Sequence, residues 1–476
     1  MNKYSLLFIL LAAAVTTYAQ DVKISGQILN RASQQVAFTY FTKGIEAKEK
    51  TIKVELSANG QFAATLPLDA GYNQVIMQHA GEKTELFVKA GSNITVRAAA
   101  KEMGNTIKYT GKGSESANFS AWHLKQVGQM YFFSSAINTY MSKPTDTMIA
   151  KANQLLKVEL IYLDQYEKSL PADFKNYWRK YLTYEYYNTL LKYPATRNYY
   201  RQINKAVTPA DTTLYRVLKF VPVSFDDNDV TIQGYGYYLT QIFAVTLAAG
   251  GYTDKFGANG TQTFSQKDSA NKMAAAQMPP KTLEYYKALQ INQVADYKNI
   301  TLAQKQLEAF TKAYPNSQYN ATLKNKIDKK TGMAAGRPAP DFSFTTLEGK
   351  KMKLADLKGK VVYMDFWASW CGPCMQQVPY AEKLEEEYKG KNIVFLKVSI
   401  DEDTAAWKNA ITTKNIGGLH TCDDGGWNGA IPQLYSVNGV PRYFLIDKKG
   451  NFIAQEVPRP NEIDKLKPML DKALSE

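Results

Sequence analysis

The stretch Asp365-Phe366-Trp367-Ala368-Ser369-Trp370-Cys371-Gly372-Pro373-Cys374 constrains this chain more than any other. Its cysteines follow an apolar run, Val361-Val362-Tyr363-Met364, that reads as a buried strand, and the amphipathic segment from Met375 onward reads as a helix. Cys371 therefore falls at a strand-to-helix turn, where unpaired backbone N–H groups and the helix dipole favour negative charge. Such a setting lowers a thiol pKa and supplies the thiolate, which is the nucleophilic form. With only Gly372 and Pro373 between them, the second sulfur can close on the first as a small disulfide. The pattern points to dithiol–disulfide chemistry.

The surroundings are more specific than a bare Cys-x-x-Cys. Upstream stand Gly336-Arg337-Pro338-Ala339-Pro340-Asp341-Phe342 and Leu354-Ala355-Asp356-Leu357-Lys358-Gly359-Lys360; downstream, Val440-Pro441 precedes the strand Tyr443-Phe444-Leu445-Ile446-Asp447. On these features roughly the last 140 residues, a normal size for one domain, resemble the thioredoxin superfamily in its TlpA/ResA-like branch, with an AhpC/TSA-type entry. Asp365 matches that family's buried carboxylate, Pro379 the proline that kinks the active-site helix, and Val440-Pro441 the cis-proline loop that faces the disulfide.

The resemblance implies an exchange in which Cys371 attacks a partner disulfide and Cys374 resolves the mixed disulfide. Asp365 would accept the proton of Cys374, although a buried, satisfied carboxylate is the alternative. Pro441 and Val440 would pair with the substrate backbone, alongside Trp370, Gly372 and Pro373, while Trp367 and Trp370 shape and shield the site. Arg442 departs from the threonine common at its position; it either favours the Cys371 thiolate and acidic partners or is a solvated cation. No cofactor or metal is implied. The Gly-Pro dipeptide resembles that of reducing thioredoxins, so the expected direction is reduction of disulfides in envelope proteins. The resemblance implies a link to cytochrome c maturation, with a DsbD/CcdA-like membrane thiol as electron donor.

At 476 residues the chain is too long for one core. Lys3, the apolar run Leu6 to Val15 and the small residues of Thr17-Tyr18-Ala19 read as a signal peptide, and ten apolar residues are too few to span a bilayer. No cysteine precedes Cys371, which leaves no site for a lipid anchor near the start. The expectation is an exported protein of the periplasm or envelope, without a transmembrane segment once the signal is cleaved. Three cysteines do not make a disulfide-stapled scaffold. Cys422 is left over, as a structural thiol or a secondary redox thiol. Residues 337–476 carry 19 Lys+Arg against 19 Asp+Glu, so the whole formal charge of +14 falls on the part before them. Nucleic acid is not an expected partner, since no binding motif accompanies that charge.

Alternation of apolar and polar residues fills residues 20–112. Ile52-Val54-Leu56, the turn Asn59-Gly60 and Phe62-Ala64-Leu66 read as a hairpin. From about Ser114 the texture turns helical and rich in tyrosine, with helices read at Val158 to Tyr166, Phe174 to Leu191 and Leu283 to Val294. Leu302 to Tyr314 and the restart after Pro315 read as a single helical hairpin. The tyrosines fall at helical spacings that suit seam packing better than a binding surface. Gly250 to Lys272 reads as a long loop. The chain is therefore multidomain: a signal peptide at 1–19, an all-β sandwich-like domain at 20–112, a central α-helical region at 113–330, a linker at 331–336 and an α/β thioredoxin fold at 337–476. Within that fold Thr404 is the expected cap of a helix running through Ile411.

Three other readings stay open at this point. Cys371, Cys374, His420 and Cys422 are a possible zinc set. The Pro-Asp-Phe lead-in suggests a peroxiredoxin, but Ala368 stands where that family's Thr-x-x-Cys signature needs threonine. A third makes the first 330 residues an envelope binding or assembly module with an accessory redox domain.

Overall fold

The computed structural model describes residues 21–128, 132–203, 206–208, 225–241, 275–296, 299–454 and 457–476, with Leu214 and Lys272 between them. The expected signal peptide, and the expected loop up to residue 271, lie outside the described residues. The chain divides into two compact units, Met1–Leu283 and Glu284–Glu476. Among the described residues no helix is long and apolar enough to cross a membrane.

The first unit opens with β1 (Val22–Leu29), β2 (Gln35–Phe41), β3 (Glu49–Glu55), β4 (Gln61–Leu66), β5 (Tyr72–His79), β6 (Glu82–Lys89) and β7 (Asn93–Ala99). A short α1 (Met103–Thr106) and β8 (Lys108–Lys112) follow. The strands form two four-stranded sheets, β4-β1-β7-β8 and β3-β2-β5-β6, around one apolar core. The expected β3–β4 hairpin is not formed. β3 pairs with β2 and β4 pairs with β1, so the Asn59-Gly60 turn carries the chain from one sheet to the other. Alternation fixes which side chains face the core, but it is silent on which neighbour supplies the backbone hydrogen bonds.

Helices α2 (Ser114–Val127), α3 (Phe132–Asn138), α4 (Thr145–Tyr166) and α5 (Ala172–Ile203) complete the described regular helices of this unit up to Ile203. α2 covers the edge strand β6: Ser116 Oγ donates to the Phe87 carbonyl at 2.7 Å, and the Phe87 N–H donates to Ser120 Oγ at 3.0 Å. An edge sealed in this way is closed to pairing with another chain. The aromatic side chains pack at the seam, where Phe119, Phe174, Trp178 and Tyr181 are buried beside Phe87.

The second unit begins within α6 (Pro280–Asp296) and continues through α7 (Ile300–Ala313) and α8 (Asn320–Gly332). Lys326 of α8 is buried and donates to Asn292 Oδ1 and Asp296 Oδ2 of α6, each at 2.7 Å. The segment with linker composition is bound to the domain. Thr331 and Gly332 end α8, Met333 is buried in the core that also holds Cys371 and Cys374, and the Gly336 N–H donates to the Phe452 carbonyl at 2.7 Å. The small residues around Met333 hide this from the sequence, because the partner strand lies more than a hundred residues later. The fragment 337–476 is expected to fold and keep its dithiol chemistry, but to be less stable than 284–476 by about 2–4 kcal/mol for the loss of Met333 from a packed core. Urea midpoints of the two fragments check this.

The hairpin β9 (Ser343–Thr345) and β10 (Lys351–Lys353) leads into β11 (Val361–Trp367), and after it come α9 (Gly372–Met375) and α10 (Val378–Glu387). Then follow β12 (Ile393–Ser399), α11 (Thr404–Lys414), β13 (Leu419–Cys422), α12 (Ala430–Leu434), β14 (Arg442–Ile446), β15 (Phe452–Ala454) and α13 (Ile463–Ser475). The five-stranded sheet has the order β13-β12-β11-β14-β15, parallel across β11–β13 and antiparallel beyond. This is the α/β thioredoxin-like fold. Every residue of central β11 is buried, as its apolar run requires, and Asp365 is buried among them. The N-cap of α11 is Asp403, whose carboxylate accepts from the N–H groups of Ala405 and Ala406, and the expected cap Thr404 is the first helical residue.

Candidate active site

β11 ends at Trp367, and the chain crosses Ala368, Ser369 and Trp370 before α9 starts. Cys371 caps α9: its Sγ accepts the Cys374 N–H at 3.1 Å. Pro373 sits in the first turn, where a missing N–H costs nothing and the fixed φ suits a helix. Cys371 and Cys374 are joined as a disulfide and both are buried, whereas Gly372 and Pro373 are exposed. Pro379 lies in the first turn of α10, after the break that separates the two helical pieces. Trp370 is 58% exposed, with its ring 6.0 Å from that of Trp427. The accessible skin of the site is thus Trp370, Gly372 and Pro373, with the sulfurs just beneath.

The Val440–Pro441 peptide bond is cis. Val440 packs against the core cluster that contains Cys371 and Cys374. Arg442 lays its guanidinium 5.0 Å from the Phe444 ring centre and lines a cavity with Lys330 and Asp296, in which neither cysteine takes part.

Asp365 lies on β11 between Lys397 of β12 and Tyr443 of β14 in the strand register. Its Oδ2 is 3.7 Å from Lys397 Nζ, and the same ammonium is 3.0 Å from Glu385 Oε1 on α10. Burial pushes the Asp365 carboxyl up to about 6; Lys397 opposes the rise and Glu385 adds to it. A carboxyl with that affinity takes and gives protons close to neutral pH.

Two charged partners of Asp365, Lys397 and Glu385, were not singled out from the sequence. A lysine inside the apolar strand Ile393-Val394-Phe395-Leu396-Lys397-Val398-Ser399 was a usable signal, since lysine is almost never fully buried unless paired.

A third omission is Asp401, buried at the end of β12. Its carboxylate accepts from the Ser369 N–H at 2.9 Å, from Ser369 Oγ at 2.6 Å and from Ser399 Oγ at 2.7 Å. It holds the turn that delivers Trp370 and Cys371. Asp401→Asn turns one acceptor oxygen into a donor facing donors. The expected result is about 1–3 kcal/mol of lost stability, together with slower attack on a disulfide substrate. Denaturation midpoints and single-turnover rates of the variant check both.

His420 and Cys422 engage other partners. His420 is buried with Nε2 2.9 Å from the Ile416 carbonyl, and burial pushes its pKa down. Cys422 Sγ donates to the Asp401 carbonyl at 3.2 Å, and burial pushes its thiol up to about 11. A thiol so reluctant to ionise is a poor nucleophile at neutral pH. Among the described residues no three His, Cys, Asp or Glu side chains are grouped as a metal site.

With this geometry in view, the comparisons with known proteins are specific. The Redoxin family pattern matches residues 334–473. The thiol-disulfide oxidoreductase ResA of Bacillus cereus is 38% identical over 146 residues, which cover 31% of this chain and 82% of that protein. The chain belongs to the ResA-like thiol-disulfide oxidoreductases. The thioredoxin-like protein YneN of Bacillus subtilis is 37% identical over 128 residues, covering 26% of this chain and 71% of that one. Among solved structures, the thioredoxin domain of a thiol-disulfide oxidoreductase from Bacteroides vulgatus is 28% identical, with 30% of this chain covering 98% of that one at a TM-score of 0.27. This ResA-like protein is an oxidoreductase of the thioredoxin superfamily. The part before residue 334 lies outside the Redoxin match.

Proposed function

We propose that this protein is an exported thiol–disulfide reductase that acts on disulfides of envelope proteins. The observation that carries the reading is the Cys371–Cys374 pair at the start of α9, beneath an exposed Trp370-Gly372-Pro373 skin and with a cis Val440–Pro441 bond in the same domain. In the reduced protein the Cys371 thiolate attacks one sulfur of the substrate disulfide. A mixed disulfide forms, and the second substrate sulfur leaves as a thiolate that takes up a proton. Cys374 gives its proton to Asp365 and attacks Cys371. The substrate's first sulfur then leaves as a thiolate and takes up a proton from water, Asp365 gives its proton back to water, and the protein is left as the Cys371–Cys374 disulfide.

Two electrons pass to the substrate in each cycle, so an external dithiol must restore the pair. A membrane thiol donor of the DsbD/CcdA kind supplies them in this reading. The haem-binding cysteine pair of an apocytochrome c is the leading candidate substrate, on the strength of the family resemblance alone. The deciding experiment is the equilibrium of the purified protein with glutathione redox buffers. A reduction potential near that of thioredoxin, about −270 mV, supports a reductase, whereas one near −120 mV marks an oxidant and overturns the direction.

A further inference from the structure

Three charges meet beside β11, and their count is unequal. Asp365 of β11 and Glu385 of α10 supply two carboxylates, while Lys397 of β12 supplies one ammonium. The Lys397 side chain is 5% exposed, and those of Asp365 and Glu385 are 12% and 16% exposed. Lys397 Nζ stands 3.0 Å from Glu385 Oε1 but 3.7 Å from Asp365 Oδ2, although Asp365 is its direct neighbour across the strands. The ammonium thus sits closer to Glu385. Asp365 Oδ1 is buried and has no hydrogen-bond partner among the described residues. With both carboxylates ionised the trio carries one net negative charge, which burial penalises. A single proton restores neutrality, and Asp365, the carboxylate farther from the ammonium, is the one placed to take it. The other titratable neighbours stay neutral. Tyr443, opposite Asp365 on β14, and Tyr363, two residues before it, are phenols that burial holds above their ordinary value. His420, beside Lys397 on β13, is held below its own by burial. The loop before β13 leaves room for the pair: a Cβ at Gly417 would lie 2.4 Å from Glu385 Oε2, and one at Gly418 3.2 Å from Lys397 Cε.

We propose that Glu385 is a positioning residue for the resolving step: it holds the Lys397 ammonium off Asp365 and so leaves Asp365 open to the proton of Cys374. The inference rests on the reading above in which Asp365 takes that proton, and it adds the group that keeps the acceptor ready. Without the Glu385 charge, Lys397 turns wholly to Asp365. That pair is neutral with no proton added, and protonating Asp365 then leaves a buried ammonium without a counter-charge.

The test is the pH profile of the resolving step in the reduced full-length protein, read by stopped flow as release of a fluorophore-labelled thiol from a disulfide-linked peptide. In the wild type the rate should rise through the pH at which Asp365 loses its proton, about 6. Glu385→Gln should move that limb down by about one pH unit. It should also slow the step roughly threefold above the limb, because a weaker base takes the Cys374 proton less readily. Glu385→Asp keeps the charge and should restore most of both. Gly417→Ala, which crowds Glu385 Oε2 without altering a charge, should act in the same direction as Glu385→Gln. Lys397→Gln removes the cation from the same trio and should move the limb up by about one unit. Opposite shifts from two neighbouring substitutions cannot arise from loosened packing. An unchanged limb in Glu385→Gln, in a protein whose limb Asp365→Asn removes, overturns the role of Glu385. A limb that persists in Asp365→Asn shows that Asp365 is not the acceptor, and the proposal falls with that reading.

Discussion

Cys371→Ser is expected to lower reduction of a generic disulfide by at least about a thousandfold, because a hydroxyl does not ionise near neutral pH and no other side chain of the motif attacks sulfur. Cys374→Ser should behave differently. Its Cys371 still attacks, but resolution is gone, so a mixed disulfide accumulates that a thiol reagent releases. Turnover with dithiothreitol and non-reducing mass spectrometry separate the two outcomes. Cys422 does not rescue either variant in this scheme, since its thiol is pushed up to about 11 and is bonded to the Asp401 carbonyl. Full turnover in Cys371→Ser would sink the mechanism, and turnover that needs added zinc would do the same.

Asp365→Asn should slow the resolving step by about a hundredfold near neutral pH, a typical size for a lost general base. Stopped-flow release of the substrate thiol reads that step directly, and an unchanged second phase would leave Asp365 a structural residue. The same variant carries a stability signature with a definite sign. The folded carboxyl holds its proton up to about pH 6, against an ordinary value of 3.8. The fold therefore binds more protons than the unfolded chain between those two values. The contribution to stability is fully present below 3.8 and is lost as the pH rises through about 6. Above that range the wild type carries a buried charge that Asn does not. Relative to the wild type, Asp365→Asn should gain about 3 kcal/mol in stability between pH 4 and pH 8. Lys397 keeps Glu385 at 3.0 Å in the variant, so its own charge stays paired. Denaturant midpoints across this range check the slope; a pH-independent difference would show that Asp365 does not titrate there.

The redox pair and the strand before it were legible because each rests on local chemistry, and the cis-proline loop was legible through the family resemblance. A continuous apolar strand and two cysteines at a helix start announce themselves within about ten residues, and the resemblance to the TlpA/ResA-like branch supplied the rest of the reading at Val440-Pro441. Asp365 could be picked out for the same reason, as a carboxylate in an apolar run. Its partners could not, because Lys397 and Glu385 reach it from a neighbouring strand and from α10. Asp401 was missed because an aspartate after a strand resembles any turn residue until Ser369 is brought within 2.9 Å of it, thirty-two positions away in sequence.

The β region divides along the same line. Alternating side chains determined that residues 20–112 form strands with one face in a core. The partner choice that sends β3 to β2 and β4 to β1 followed from which strands lie side by side in the two sheets. Composition also suggested a linker at 331–336; there a buried methionine and a backbone bond to Phe452 hold the segment against the domain. By itself, then, the sequence determined the chemistry, the element types and the buried faces, since these depend on side-chain type, short spacing and periodicity. Only the tertiary structure decided the strand pairing, the charge partners of Asp365 and the clamp on Ser369. Each of those joins groups distant along the chain, and no local pattern encodes which distant neighbour closes the bond.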